Sequence, residues 1–325
     1  MKEYLYSEIF NSVQGEGHYT GVPTGWLRFF LCNLQCNGFG QDEPTNPDSW
    51  ELPYEKIDLK DITKVEDLPV FEKGCDSSYT WAKKFKPLMK KGTPKEIAER
   101  IRAELVTDTN PTGTFKHPLS GQISHMCFTG GEPLMPTSQE CIIEVMQEFK
   151  IQKGPDVQWG DKTLSGAGNV PSSVTFETNG TKPLSDDFVN FWTNRGRNNV
   201  PCFFSVSPKL WTVAGEKAKR AIQPDVIKQY FEVASHQARQ NQMKLPTGQL
   251  KFVMGPHKEQ WEEMESVVAK LRELGVYWPV WVMPVGARVE EQELSAGDIA
   301  KIAFERGYNV SARVHTYLFG NAIGT

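Results

Sequence analysis

The sequence predicts an α/β fold: an open, partial barrel of about six parallel strands with flanking helices and inserted loops. Two observations carry this expectation. Short apolar segments rich in β-branched or aromatic residues alternate with amphipathic stretches that open on helix-start signals. Each apolar segment also ends in a polar or glycine-rich signature, so these signatures should gather at one mouth of the sheet. Strand–helix alternation implies parallel strands joined by right-handed crossovers. Six such units are fewer than a closed eight-fold barrel needs.

The expected strands are 26–31, 124–129, 173–178, 202–207, 249–254 and 279–284. Thr93-Pro94-Lys95-Glu96 opens a helix with an N-cap, a proline at the first position and an acidic first turn. Ser138 is expected to cap the helix carrying Cys141, Ile142, Val145 and Met146, and Pro256 to open one carrying Trp261, Met264, Val268 and Leu271. Ser295 precedes Ile299, Ile302 and Ala303. Residues 1–325 are expected to form a single domain with an insertion at 37–74 and further decorations near 106–122, 151–171 and 210–247. The insertion shows few large apolar residues and reads as an irregular excursion. Within 151–171, Gly154-Pro155 and Ser165-Gly166-Ala167-Gly168-Asn169 mark a turn-rich surface loop.

Charge excludes several classes. Lys and Arg number 36 against 40 Asp and Glu, a net −4 with mixed signs along the chain, so no electrostatic footprint for nucleic acid is present. No apolar run is long enough to span a membrane, and Met1 to Glu8 lacks the apolar core of a signal peptide. Six cysteines in such a chain point to a reducing cytoplasm, where metal binding or catalysis is favoured over disulfides.

Cys127, Cys141 and Cys202 sit in apolar contexts and read as small buried residues. Cys32 and Cys36, spaced C-x3-C after the first expected strand, are different. The third cysteine of a C-x3-C-x2-C pattern is missing, with Phe39 in its place, and Cys75 reads as its displaced equivalent. Three thiolates can hold three irons of a [4Fe–4S] cluster and leave the fourth open to a ligand.

The strand-end motifs complete the pattern. They are Thr129-Gly130-Gly131-Glu132-Pro133, Glu177-Thr178-Asn179, Ser205-Val206-Ser207-Pro208-Lys209 and Met283-Pro284-Val285-Gly286. Together with the cysteines, G-G-E-P resembles the radical S-adenosylmethionine (SAM) superfamily. Ser12-Val13-Gln14-Gly15-Glu16-Gly17, Gly21-Val22-Pro23, Arg28, Cys75-Asp76 and Arg313-Val314-His315-Thr316-Tyr317 narrow the resemblance to its 7-carboxy-7-deazaguanine synthase family.

The resemblance implies a partial radical SAM barrel, three cofactors and a pterin substrate. The cluster's open iron would take the amino and carboxylate groups of SAM, whose reductive cleavage yields a 5′-deoxyadenosyl radical. Gly130 and Gly131 would let the backbone approach the methionine end of SAM, Glu132 would accept from its amino group, and Glu177, Thr178, Asn179, Ser205, Ser207 and Lys209 would suit its ribose and carboxylate. The substrate is 6-carboxy-5,6,7,8-tetrahydropterin, which ring-contracts to 7-carboxy-7-deazaguanine with loss of ammonia. Gln14 and Glu16 would match the pterin edge, Arg28 and His315 the carboxylate, and the terminal carboxylate of Thr325 would fold over the site. A Mg2+ ion would take the Ser77 hydroxyl, where the family usually has threonine. An electron donor such as flavodoxin or ferredoxin and a homodimer are also implied. The alternatives are a radical SAM enzyme that activates a glycyl-radical protein, and a non-enzymatic Cys3His zinc site.

Overall fold

Alternation decides which face each parallel strand presents. The computed structural model describes residues 2–152, 156–164, 170–243, 247–320 and 322–324. Its strands are β1 (Tyr4–Val13), β2 (Pro23–Phe29), β3 (Lys90–Gly92), β4 (His125–Gly130), β5 (Val157–Trp159), β6 (Lys162–Leu164), β7 (Val174–Thr178), β8 (Cys202–Val206), β9 (Gly248–Met254), β10 (Val280–Pro284) and β11 (Asn309–Val310). Its helices are α1 (Pro94–Glu104), α2 (Pro136–Ile151), α3 (Asp186–Thr193), α4 (Trp211–Ala214), α5 (Ala218–Ala221), α6 (Pro224–Gln240), α7 (Lys258–Glu273), α8 (Val289–Glu293), α9 (Ala296–Glu305) and α10 (Val314–Phe319).

Among the described residues, nine strands form one sheet in the order β11-β10-β9-β8-β7-β4-β2-β1-β3. Pairing is parallel from β2 through β11, and antiparallel at the β2–β1 and β1–β3 edge. The six expected strands are β2, β4, β7, β8, β9 and β10. Each new parallel strand joins the same side of the last, so the right-handed crossovers place their helices on one face. The sheet stays open, since β3 and β11 are its two ends. The β5–β6 hairpin stands apart. The turn readings at Gly154-Pro155 and 165–169 fall outside the described residues.

The helix-side face is apolar. Phe128, Phe176, Phe204, Val206, Leu250 and Phe252 join one core with residues of α1, α2, α3, α6 and α7. Phe176 lies at its centre, with ring centroids 5.4 Å from Phe188, 5.3 Å from Trp192 and 5.0 Å from Phe204. Polar side chains occupy most alternate positions: Thr175, Ser205, Gln249 and Lys251 are buried and Glu177 is half-buried. The concave interior is therefore a polar column, and its upper end is the mouth of the sheet. Cys127, Cys141 and Cys202 are buried as expected.

Helix starts follow the local signals with two adjustments. α1 has a full capping box, with Thr93 N–H donating to Glu96 at 2.8 Å and Glu96 N–H to Thr93 Oγ1 at 3.3 Å. α2 begins at Pro136, so Ser138 lies inside its first turn and does not cap it. A proline lacks the N–H that a cap would satisfy, which suits it to open the helix. α7 begins at Lys258, two residues after Pro256. Within 210–247, α6 is the crossover helix between β8 and β9, and it buries Ile227, Tyr230, Val233 and Ala234 in the main core. That stretch is thus part of the scaffold as well as an addition to it.

The stretch from Leu31 to Leu88 behaves differently. It is built from short 3-10 turns at Pro47–Ser49, Pro53–Lys56, Val65–Asp67, Ser78–Thr80 and Lys83–Leu88. Although its part 37–74 read as poor in large apolar residues, Tyr54, Val65, Leu68 and Phe71 from that part join Tyr79, Ala82, Phe85 and Leu88 in a small core of their own. The excursion closes at its base. Gly74 N–H donates to Phe39 C=O at 2.7 Å, so Cys75 returns to the chain beside Phe39, the residue that occupies the missing cysteine's position. Leu31 N–H donates to Thr80 C=O at 2.6 Å and ties the end of β2 to the turn beyond Cys75.

Candidate active site

One cavity opens at the mouth of the sheet, and its lining includes residues from both regions. Cys32, Cys36 and Cys75 all border it. The loop that follows β2 presents the first two thiols. Leu31 adopts φ 91° and Cys36 φ 53°, left-handed conformations that side chains seldom take and that mark a tightly constrained loop. Glu216 braces this loop by accepting from Gln35 N–H at 2.7 Å and Cys36 N–H at 2.9 Å. Arg220 donates to Asn33 C=O. The α4–α5 region, within the stretch expected to be decoration, therefore shapes the cysteine loop.

Burial pushes the Cys32 thiol up to about 12 and raises Cys36 and Cys75 as well. Glu132 and then Cys75 raise Cys32 further, Cys75 and Cys32 raise Cys36, and Lys209 lowers both. Lys209 donates to Ser207 Oγ at 2.9 Å and lies over the Phe39 ring at 5.5 Å.

The turn after β4 packs against this loop. A Cβ on Gly130, whose φ is +136°, would fall 2.4 Å from Phe29 O, and one on Gly131 would fall 2.2 Å from Leu31 O. Contact with the cysteine loop thus demands glycine at both positions. Both glycines border the cavity. Glu132 does not serve as expected. It is fully buried, absent from the cavity lining, and accepts from Thr178 Oγ1 at 2.7 Å, Asn179 N–H at 2.8 Å and Leu134 N–H at 2.9 Å. Its carboxylate clamps the end of β7 to the turn after β4 and is not available to a SAM amino group. Ser205 is likewise behind the wall, where it accepts from Gln249 Nε2 at 2.8 Å and is fully buried. The inward face of β8 reaches the cavity only one pair of residues later, at Ser207. Thr178, Asn179 and Lys209 do border it, and Asn179 Nδ2 lies 3.7 Å from Cys32 Sγ.

On the facing wall, charged groups interlock. Lys251 Nζ lies 2.5 Å from Glu16 Oε2 and 2.8 Å from Glu177 Oε2. Arg313 donates from Nε to Glu16 at 3.0 Å, from Nη2 to Asp76 at 2.7 Å and from Nη1 to Gly286 C=O at 3.0 Å. Burial alone would raise the Glu16 and Asp76 carboxyls, but the adjacent cations hold Glu16 well below the usual carboxylate range and lower Asp76 too. Lys251 stays protonated because Glu16 and Glu177 outweigh its burial. Gln14 donates to Glu177 at 3.1 Å. His315 borders the cavity near Arg313, and burial depresses it to about 4. The Q-G-E-G motif has a packing cause: a Cβ on Gly15 would fall 1.9 Å from His315 Nδ1, and one on Gly17 2.2 Å from Gln249 Nε2.

Arg28 borders the same cavity, but its Nε is taken by Glu8 at 2.5 Å, and Tyr79 OH donates to the same oxygen at 2.7 Å. Among the described residues its terminal nitrogens make no hydrogen bond. Ser77 borders the cavity with Oγ 3.4 Å from Cys75 Sγ. Ala322, Ile323 and Gly324 also border it, and Ile323 packs on the small core of the 31–88 stretch. Thr325 lies outside the described residues. Lys251, Arg313 and Asp76 are the charged residues that the sequence did not mark as central. A lysine in the middle of an expected strand was the signal available for the first.

No family model matches the chain. It is 26% identical over 332 residues to a curated 7-carboxy-7-deazaguanine synthase from Rhodopirellula baltica, covering 99% of this chain and 88% of that one. A 31-residue stretch is 55% identical to the synthase of the same name from Bacteroides thetaiotaomicron, covering 10% of this chain and 17% of that one. A crystal structure of QueE from Escherichia coli matches with 15% identity and a TM-score of 0.49, over 96% of this chain and 95% of that one.

Proposed function

We propose that this chain is a 7-carboxy-7-deazaguanine synthase, a radical SAM enzyme that converts 6-carboxy-5,6,7,8-tetrahydropterin to 7-carboxy-7-deazaguanine with loss of ammonia. That makes it a carbon–nitrogen lyase in deazapurine biosynthesis of the queuosine type. One observation carries the proposal: three thiols and an interlocked set of carboxylates and cations border the same cavity, in a chain that aligns over 99% of its length with a curated synthase.

The donor set suits a [4Fe–4S] cluster. Among the described residues no three His, Cys, Asp or Glu side chains are placed to hold a single metal ion. A tetrahedral zinc with bonds of about 2.3 Å would draw its sulfurs to about 3.8 Å from one another. In a cluster each thiolate ligates a different iron, so the sulfurs stand further apart. When bound, the cluster and SAM supply one-electron cleavage of a carbon–sulfur bond and abstraction of a hydrogen atom.

The chain's own residues supply binding and orientation. Thr178, Asn179, Ser207 and Lys209, beside the cysteine loop, are assigned to SAM together with the backbone at Gly130 and Gly131. Glu177 is held by Gln14 and Lys251 and reaches SAM only from within that network. On the facing wall, Gln14 and Glu16 meet the pterin edge, with Glu16 fixed as an anion by Lys251 and Arg313. The free end of the Arg28 guanidinium and His315 meet the substrate carboxylate. Ser77 is the Mg2+ ligand, and Asp76 beside it is already neutralised by Arg313. The segment 322–324 narrows access of water to the cavity. Residues 1–325 act as one domain, in a cytoplasmic homodimer served by a one-electron donor such as flavodoxin or ferredoxin.

The test is anaerobic incubation with SAM, a chemical reductant, Mg2+ and the carboxytetrahydropterin, read by mass spectrometry. Deazaguanine, methionine and 5′-deoxyadenosine are expected. SAM cleavage without deazaguanine would reject the substrate, and a cluster-loaded protein inert toward SAM would reject the enzyme class.

A further inference from the structure

Electrons for the cluster have to enter through the protein wall, and one part of that wall is unusual in its charge. Several helices pair their exposed cations with carboxylates one turn away: Lys95 with Glu99, Arg100 with Glu104, Lys228 with Glu232 and Lys258 with Glu262. The short helix α5 does not. Lys217, Lys219 and Arg220 are all exposed, and among the described residues none of them forms an ion pair. The carboxylate next to them in sequence, Glu216, is buried and occupied by Gln35 N–H and Cys36 N–H. Asp42 and Glu43, beside the Pro44 carbonyl that packs on Gly215, act on Lys73 and Asn46 instead. A chain of net −4 thus carries a local excess of positive charge at α5. That excess lies against the cysteine loop. Ala221 of α5 and Ala214 of α4 pack with Leu34 and Cys36, and Cys32 and Cys75 adjoin the same group. Arg220 donates to the carbonyl of Asn33, between the two cysteines. Asn33 Nδ2 in turn donates to Thr181 Oγ1 at 2.9 Å, which brings the chain at Lys182 alongside. Gln35, in the same loop, is exposed.

We infer that the exposed cations of α5, together with the exposed part of the cysteine loop, form the docking surface for an acidic one-electron carrier protein. The inference rests on the cluster assignment made above. One electron leaves the reduced carrier, enters the cluster and is consumed in cleaving one carbon–sulfur bond of SAM, so the carrier is oxidised by one electron for each SAM cleaved. Contacts between electron-transfer partners are small and transient. In such contacts opposite charge steers the encounter and sets the orientation. The α5 surface suits both requirements. Its unpaired cations attract an anionic surface, and its alanines let the helix backbone lie close to Cys36, which shortens the path inward. Glu216 separates the two roles, because its charge is turned to the loop N–H groups and does not offset the cations outside.

The test compares two reductants on anaerobic, iron-loaded protein: reduced flavodoxin, an acidic carrier, and saturating dithionite, which needs no docking surface. The variant carries Lys217→Glu and Lys219→Glu. Its SAM cleavage with flavodoxin is expected to be about tenfold slower at low ionic strength, and to lack the fall with added salt that wild type shows. Its iron content and its rate with dithionite should match wild type. A second variant, Lys270→Glu with Lys301→Glu, makes the same change in net charge at exposed positions on α7 and α9 and should leave both rates in place. No slowing in the α5 variant, or equal slowing in the two variants, overturns the inference while the proposed function stands. Equal slowing of the α5 variant with both reductants would place the effect in the loop and overturns it as well. Wild type that cleaves SAM with dithionite but with neither reduced flavodoxin nor reduced ferredoxin rejects the acidic carrier. Wild type inert with every reductant rejects the inference and the cluster assignment together.

Discussion

The parallel strands and the 31–88 stretch build facing parts of one cavity by different physical means. In the strands, alternation sorts most side chains by face. Phe176, Phe204, Leu250 and Phe252 face the helices, while Glu177, Ser205, Gln249 and Lys251 face inward. Hydrogen-bonded neighbours on both sides fix each strand, so a charged side chain can be held inside at a set depth. The 31–88 stretch has no such ladder. It relies on a small aromatic core, on the internal ties of Gly74 to Phe39 and Leu31 to Thr80, and on ties to its surroundings that include Tyr79 to Glu8, Arg313 to Asp76, and an ion pair between Arg288 and Glu72. Three of the ties, Tyr79–Glu8, Arg313–Asp76 and Arg288–Glu72, are electrostatic or charge-assisted. The strands therefore supply rigidity, and the stretch supplies a thiol whose position depends on docking.

The sharpest way to break the comparison is to empty each core. Phe176→Ala and Phe85→Ala each remove a fully buried phenyl ring, at a cost of about 3–5 kcal/mol. Phe176→Ala should lower the thermal midpoint of the whole protein. Phe85→Ala should chiefly loosen the 31–88 stretch, seen as faster proteolysis between residues 40 and 73 with the sheet's melting little changed. Equal effects of the two on global melting would show that the regions are one cooperative unit.

Arg313 joins the regions, because it bonds Glu16 on the sheet side and Asp76 beside Cys75. Arg313→Gln leaves two carboxylates short of their cation, a loss of about 3 kcal/mol that comes mainly from Glu16, since the Asp76 side chain is 37% exposed and its pair is screened by water. Denaturant unfolding should register that loss, and hydrogen exchange around residues 74–81 should accelerate. An unchanged exchange rate at those residues would mean that the small core alone docks the stretch.

A smaller effect comes from pH. Burial holds His315 down to about 4 and His125 to about 3, against about 6.5 in an unfolded chain. A depressed folded value means that the unfolded state binds more protons on the acid side. Stability from these groups is present in full above about pH 6.5 and is lost as pH falls toward 4. His315 borders the cavity and is partly open to water, so its share is the lesser. Replacing it with Asn should flatten only part of the acid slope in denaturation midpoints between pH 7 and 5, with the remainder shared by His125 and by His18, which burial also lowers. A slope untouched by the substitution would place the whole effect elsewhere.

These differences also explain what could be read from the sequence. Strand periodicity is a local, repeated signal, so all six central strands and the mouth they share were legible. The polarity of the interior was written in the same alternation, yet Lys251 was not singled out, because a lone charge within a strand says nothing of its partners until the sheet is closed around it. Glu132 and Ser205 show the converse error. Both stand among residues that do reach the cavity, but one satisfies the donors of Thr178, Asn179 and Leu134 and the other accepts from Gln249. Position in a motif does not reveal whether a polar group faces a ligand or the chain itself. In the 31–88 stretch Tyr54, Val65, Leu68 and Phe71 follow no helical or strand period, and their core arises from turns that only the folded chain brings together. The return of Cys75 to Phe39 was anticipated from the missing cysteine, whereas the Gly74–Phe39 bond that accomplishes it was not.

The central claim is that a thiol from the docked stretch joins two from the strand end on one cluster. Iron content and EPR of anaerobically reconstituted Cys75→Ala, beside Cys202→Ala and wild type, test it most directly. About four irons per chain and a reduced-cluster signal are expected in wild type and in Cys202→Ala, whose thiol is buried in the main core. Cys75→Ala should lose most of its iron and the signal. Full iron and an unaltered signal in Cys75→Ala would contradict the claim.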